Sequence, residues 1–197
     1  MPSNINQQFL RQDELRDQTD MTMNSKMLRF PVLSEGAEHL VMGNLMKRNI
    51  LTYKAPPMNE GYDLICIHPD PKIIQISEGI ASQVRVQVKS RYASDADRSF
   101  PVNEDKLDSF DFLIAVFLNI GNYFKGDKNG DNGYGQTEFY TLSRDFIKRH
   151  HNRNSSWQKV RLGREVIDDI QAFKDEKGFE LIAKRLGIPS LTRENWS

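Results

Sequence analysis

Between Gln83 and Lys89 the chain alternates, with Val84, Val86 and Val88 set among Gln83, Arg85, Gln87 and Lys89. Period-two alternation of β-branched residues predicts a half-buried strand. Gln87 and Lys89 are two positions apart and share one side of it. Upstream, Leu64-Ile65-Cys66-Ile67 is a short continuous apolar run, which predicts a strand covered on both faces. Asp63 stands at its entrance, on the side of Ile65 and Ile67. From Ser34 to Asn49 the pattern turns helical, with Ser34 as N-cap and Glu35 in the first turn. Leu40, Val41, Met42, Leu45 and Met46 define a broad apolar arc, and Glu38 projects inside it between Met42 and Leu45.

The remaining pattern completes an alternation of strands and helices. Ile50 to Tyr53 is a first short strand, and Pro56 to Gly61 is a loop set by its prolines and glycine. His68-Pro69-Asp70 ends the Asp63 strand, and Ile73 to Ile76 forms a hairpin arm. A polar loop over 91–105 and a short helix near Glu104 to Ser109 precede a buried strand, Phe112 to Leu118. Asp111, which opens that strand, reads as structural. A further strand covers Glu138 to Leu142. In the tail, Ile167, Ile170, Phe173, Leu181, Ile182 and Leu186 recur at helical spacing, with a break between two helices at Lys177-Gly178. The expected organisation is a polar, mobile arm over 1–27, an α/β core over 28–150, and a basic loop with a helical C-terminal extension over 151–197. No internal repeat interrupts it.

Composition narrows this picture. The chain has 197 residues, room for one domain with a real core. Its 27 basic and 27 acidic residues cancel, which excludes a generally adhesive polycation but not a local basic surface. Cys66 is the one cysteine, so no disulfide forms within the chain; it reads as core filler in a reducing compartment. No stretch approaches the roughly 18 apolar residues of a membrane span, and no apolar signal core is seen near Met1. The expectation is a cytoplasmic protein without a membrane partner.

The polar residues inside these elements carry the candidate chemistry. A carboxylate at Asp63 or Glu38 is costly unless it is solvated, paired or bound to a metal. The plainer readings are a turn aspartate, a surface glutamate and a solvated strand face for Gln87 and Lys89. Three pieces now stand in order: Gly36-Ala37-Glu38-His39-Leu40-Val41 on a helix, Gly61-Tyr62-Asp63-Leu64-Ile65 at a strand start, and Val86-Gln87-Val88-Lys89-Ser90 on the next strand. In that order and spacing they resemble the PD-(D/E)xK, restriction-endonuclease-like nuclease superfamily in its Gln-x-Lys variant. The resemblance covers about residues 30–145.

The resemblance implies an α/β fold with a mixed central β-sheet flanked by helices. It also implies a Mg²⁺- or Mn²⁺-dependent endodeoxyribonuclease of restriction, repair or recombination, or defence type. Asp63 would be the main metal ligand, with Gln87 and Glu38 beside it, and Lys89 would serve the attacking water and the developing charge. Asp70 is a rival ligand, although its Pro-rich turn gives it a local reason to be there. The superfamily carries an acid where this chain has Gln87. The alternative is therefore a catalytically inactive nucleic-acid-binding or interaction module on the same fold. DNA is the expected partner, and a homodimer is the assembly in which two sites reach two strands.

Two further stretches draw attention. Asp127, Asn129, Asp131 and Glu138 fall at positions 1, 3, 5 and 12 of a calcium loop, but position 6 is Asn132 rather than glycine, and the flanks read as strands. A hairpin tip is the preferred reading. From Arg144 to Arg164 basic residues dominate, and Arg91, Arg144, Lys148, Arg149, Arg153, Lys159 and Arg161 are the expected nucleic-acid contacts. A charged helix end and loop without a partner is the competing reading. His150 and His151 lie in this stretch, but adjacent histidines without a second cysteine do not make a zinc site.

Overall fold

The computed structural model describes residues 32–59, 61–70, 72, 79–91, 98–120, 135–152, 158–163 and 166–190. The chain divides into two compact units, Met1–Gly36 and Ala37–Ser197. The described part of the first is the opening of helix α1, and everything else below belongs to the second.

Helix α1 spans 32–46. Its backbone is already helical at Val32, so Ser34 lies inside the helix and is not its cap. The buried stripe is Ala37, Val41 and Leu45, spaced four apart, while Leu40 and Met46 are 45% and 46% exposed. The apolar arc is therefore narrower than the hydrophobic pattern implies, because only one line of side chains along the helix is covered. The helix closes on Asn49 at φ 60°, with the Ile50 N–H bonded to the Leu45 carbonyl and the Asn49 N–H to that of Met46. This is the paired-bond terminus that asparagine can form in place of glycine.

Five strands make the main sheet. They are β1 (Leu51–Lys54), β2 (Leu64–Ile67), β3 (Gln83–Arg91), β5 (Phe112–Phe117) and β6 (Glu138–Ser143), in the order β1-β2-β3-β5-β6. β3 and β5 run parallel, and every other neighbouring pair is antiparallel. The sheet is thus mixed and has helices around it, the α/β class that the sequence pattern implies. β2 is not covered on both faces as its apolar run suggested. Leu64 and Cys66 are buried, whereas Ile65 and Ile67 are only partly so.

The rest of the chain forms short elements. β4 (Ser99–Pro101), β7 (His151–Asn152) and β8 (Lys159–Arg161) make a small second sheet in the order β4-β8-β7. A single 3-10 turn, Glu104–Lys106, stands where a short helix was expected. Helix α2 (Arg144–His150) follows β6 directly, with the Ser143 hydroxyl accepting from the Phe146 N–H. Helices α3 (Ile167–Gln171) and α4 (Asp175–Arg185) end the described chain. Phe100, Phe110, Leu113, Phe117, Tyr140 and Phe146 share one core cluster. On the opposite sheet face Phe139 stacks on Phe179 of α4, and Arg48 lies over that same ring and pairs with Glu176.

The predicted helix break at Lys177-Gly178 is corrected. α4 runs through Gly178, and the interruption falls at Ala172–Lys174. A Cβ on Gly178 would stand 2.2 Å from the Phe173 carbonyl oxygen and 2.8 Å from Thr141 Oγ1. The glycine is there for close approach of α4 to β6, not to end a helix. Among the described residues no helix is long and apolar enough to cross a membrane. The expected arm over 1–27, the hairpin arm at Ile73–Ile76, and Asp127, Asn129 and Asp131 all lie outside the described residues.

Candidate active site

The valine alternation of β3 positions the site. Val84, Val86 and Val88 are buried on one face, which leaves Arg85, Gln87 and Lys89 on the other. β2 pairs with β3 through Leu64↔Val86 and Ile65↔Arg85. One step before Leu64, Asp63 comes abreast of Gln87, but the regular ladder ends there. The Asp63 N–H donates to the Val86 carbonyl at 2.9 Å, and Asp63 Oδ2 accepts from the Val88 N–H at 2.6 Å. On its other side the Asp63 carbonyl accepts from the Ala55 N–H at 2.8 Å. The carboxylate is clamped onto the backbone between Gln87 and Lys89 by a charge-assisted bond.

Gly61 makes this approach workable. Its φ is 109°, and a Cβ there would stand 2.3 Å from Ser109 Cβ. The chain entering Asp63 therefore passes directly over Ser109, in a conformation that favours glycine.

Gln87 Oε1 is shut off from solvent and has no hydrogen-bond partner. Its neighbour in the parallel register is Leu113, which offers none. Such an acceptor costs about 1–3 kcal/mol if left unsatisfied. Lys89, opposite Ala115, is partly buried. Glu38 is ion-paired to Lys54, the β1 residue opposite Leu64. It reaches the site's edge with a cation already in place. Asp63, Gln87 and Lys89 are thus brought together, while Glu38 stands by Lys54, next to the Asp63 end of β2. Among the described residues no three His, Cys, Asp or Glu side chains are grouped closely enough to hold a metal. The set that gathers is one carboxylate, one amide oxygen and one ammonium.

Beside this set runs a ladder of charges. Asp111 accepts from the Arg85 N–H at 2.8 Å and from Arg85 Nη2 at 3.1 Å, and it pairs with Arg144 Nη2 at 2.7 Å. Burial pushes the Asp111 pKa upward, but the Arg85 hydrogen bonds and the Arg85 and Arg144 charges outweigh it and hold the carboxyl below its ordinary value. Asp111 is structural, as its place at a strand entrance implied. Arg144 Nε also donates to the Phe110 carbonyl at 2.8 Å. Sequence reading missed this ladder, because the β3–β5 neighbour relation that joins Arg85 to Asp111 leaves no local pattern. Lys54 was missed as well, although it sits on an edge strand where lysine is common.

The other expected residues are placed as follows. Arg91 donates to the Ser99 carbonyl at 2.6 Å and lies over Phe100. Lys148 pairs with Asp108 at 3.0 Å. Arg149 and Arg161 are exposed and Lys159 is half-buried in β8, while Arg153 lies outside the described residues. Asp70 bonds the Lys72 N–H in its own turn. Glu138 opens β6 and is ion-paired to Lys174. Burial pushes the Cys66 thiol up to about 12, with a smaller opposing effect from Thr52, so it stays protonated at neutral pH. His151 Nε2 lies 2.7 Å from the Val102 carbonyl.

No protein-family model matches this chain. No curated protein matches it. Among solved structures, that of a bacterial homing endonuclease resembles it with 19% identity and a TM-score of 0.44, over 78% of this chain and 91% of that one. At that distance the likeness says nothing about residues or chemistry, and the functional reading rests on the site itself.

Proposed function

We propose that the chain is a metal-dependent nuclease that hydrolyses DNA phosphodiester bonds, of the PD-(D/E)xK type with a Gln-x-Lys variant. The observation that carries this reading is the buried, unpartnered Gln87 Oε1 beside the anchored Asp63 carboxylate, with Lys89 on the same side of the strand. The donor set suits a hard cation, since Mg²⁺ and Mn²⁺ take oxygen ligands and keep several waters. Asp63 and Gln87 would hold it, with Glu38 as the third oxygen donor. When bound, the ion supplies charge for the phosphate and a more acidic water.

The chain's own groups do the rest. The Val88 N–H holds the Asp63 carboxylate, so a ligand position exists before substrate arrives. Lys89 Nζ has three donors on a flexible stem. It orients the attacking water and stabilises the charge that develops on the phosphate oxygens.

A second reading has its own observation. Glu38 is ion-paired to Lys54, and the one remaining carboxylate, Asp63, is accompanied by the Lys89 ammonium on β3, so the set carries no excess negative charge. That balance favours a module that binds DNA without cutting it. Incubating the protein with supercoiled, linear, single-stranded and branched DNA in Mg²⁺, Mn²⁺ or EDTA separates the two. Cutting that EDTA abolishes supports the nuclease, and retention of DNA without any cutting supports the binding module.

A further inference from the structure

Asp108 bridges two cations of helix α2. Its Oδ1 lies 3.0 Å from Lys148 Nζ and 3.6 Å from Arg144 Nη1, one oxygen between two cations. The Asp108 side chain is 78% exposed, so the carboxylate is open to replacement by a solvent-borne anion. Arg144 is otherwise fixed, with Nε on the Phe110 carbonyl and Nη2 on Asp111. Those two bonds set the guanidinium plane and leave Nη1 directed toward Asp108, a pre-positioned donor of the kind that recognises phosphate.

The position bears on the candidate active site. Ser109, next to Asp108, is the residue over which Gly61 passes two positions before Asp63. Arg85, the inner end of the charge ladder, precedes Gln87 by two on the same side of β3. That separation is about 6.6 Å at about 3.3 Å per residue. Asp111 bridges Arg85 to Arg144, and so connects the Arg144–Lys148 pair to the strand that carries Gln87.

Resting on the nuclease reading above, we infer that Arg144 and Lys148 form a subsite for a backbone phosphate of the bound DNA, flanking the one at Asp63. Asp108 fills this subsite until DNA displaces it. Asp111, shielded and held by Arg85, stays in place and keeps Arg144 aimed. Three cations, Arg85, Arg144 and Lys148, face two acids while Asp108 is in, and one acid once it swings away.

The test is binding of a short labelled duplex in EDTA, followed by anisotropy over a sodium chloride series. Asp108→Asn should bind several-fold tighter than wild type and steepen the salt slope by about one. Lys148→Ala should bind more weakly and flatten the slope by about one. Asp169→Asn removes an exposed acid on α3 and serves as the control for overall charge. Thermal unfolding of each variant checks that the fold is intact. If Asp108→Asn binds no tighter than Asp169→Asn, or Lys148→Ala matches wild type, the subsite is overturned and the nuclease reading stands. If wild type retains no DNA even at the lowest salt, both are overturned.

Discussion

Replacing Gln87 by methionine should make the metal-free protein more stable. The two side chains are of similar length, and methionine fits irregular gaps. Gln87 Oε1 is enclosed beside Leu113 without a partner, so the substitution deletes a buried acceptor and breaks no hydrogen bond at that atom. An unsatisfied buried group costs about 1–3 kcal/mol. Allowing for repacking of a slightly different shape, the lower half of that range applies, about 1–2 kcal/mol. For a chain of this length each kcal/mol moves the melting temperature by about 2–4 °C, so the expected rise is about 2–8 °C. The assay is thermal and urea unfolding in EDTA, repeated with Mn²⁺. An ion that binds the native state at 100 times its Kd adds about 2.7 kcal/mol, and wild type should gain more from Mn²⁺ than Gln87→Met does. The variant should thus lead in EDTA and lose that lead as Mn²⁺ rises. A variant less stable than wild type in EDTA would mean that Oε1 has a partner after all. Equal Mn²⁺ stabilisation of both proteins would remove Gln87 from the metal site.

Three other outcomes follow from the same geometry. Gly178→Ala should destabilise by up to about 2 kcal/mol in urea unfolding, because a helix gain of about 1 kcal/mol is set against overpacking of about 1–3 kcal/mol at the Phe173 carbonyl; a stabilised variant would refute the close approach. Asp111 has its folded-state pKa below the unfolded value, so its contribution is complete above about pH 4 and disappears as pH falls through the folded value. An Asp111→Asn variant should show a correspondingly shallower loss of stability in acid, and an unchanged acid limb would count against the Arg85–Asp111–Arg144 ladder. Cys66 should ignore thiol reagents in the native protein at pH 8 and react on unfolding, since burial holds its pKa at about 12; rapid native labelling would contradict its place in the core.

Much of the site was legible because strands write their faces into the sequence. The alternation around Val84, Val86 and Val88 put Gln87 and Lys89 on one side, and β3 bears this out. Asp63 was legible as an acid heading an apolar strand, and its bond to the Val88 N–H gives that position a physical reason. The α1 arc was read too wide, since periodicity marks which residues are apolar but not how many a neighbouring layer covers. Gly178 was misread because a glycine needed for close packing looks, in sequence, like one that ends a helix. The ladder from Arg85 to Asp111 and Arg144, and the Glu38–Lys54 pair, join residues far apart in the chain. No local pattern announces them. The same holds for Asp108, which in sequence is one more acid in a polar turn.

Asp63 and Lys89 are the two side chains on which the proposed cleavage chemistry depends. The most direct measurement is single-turnover cleavage of the preferred DNA substrate in Mg²⁺ and in Mn²⁺, comparing wild type with Asp63→Ala and Lys89→Ala. All three proteins should first be shown to unfold at similar temperatures. Metal-dependent cutting by wild type that falls by at least about 100-fold in both variants is the expected result, the scale of removing a charge-stabilising group. Cutting that persists in both variants would contradict the assignment of the site.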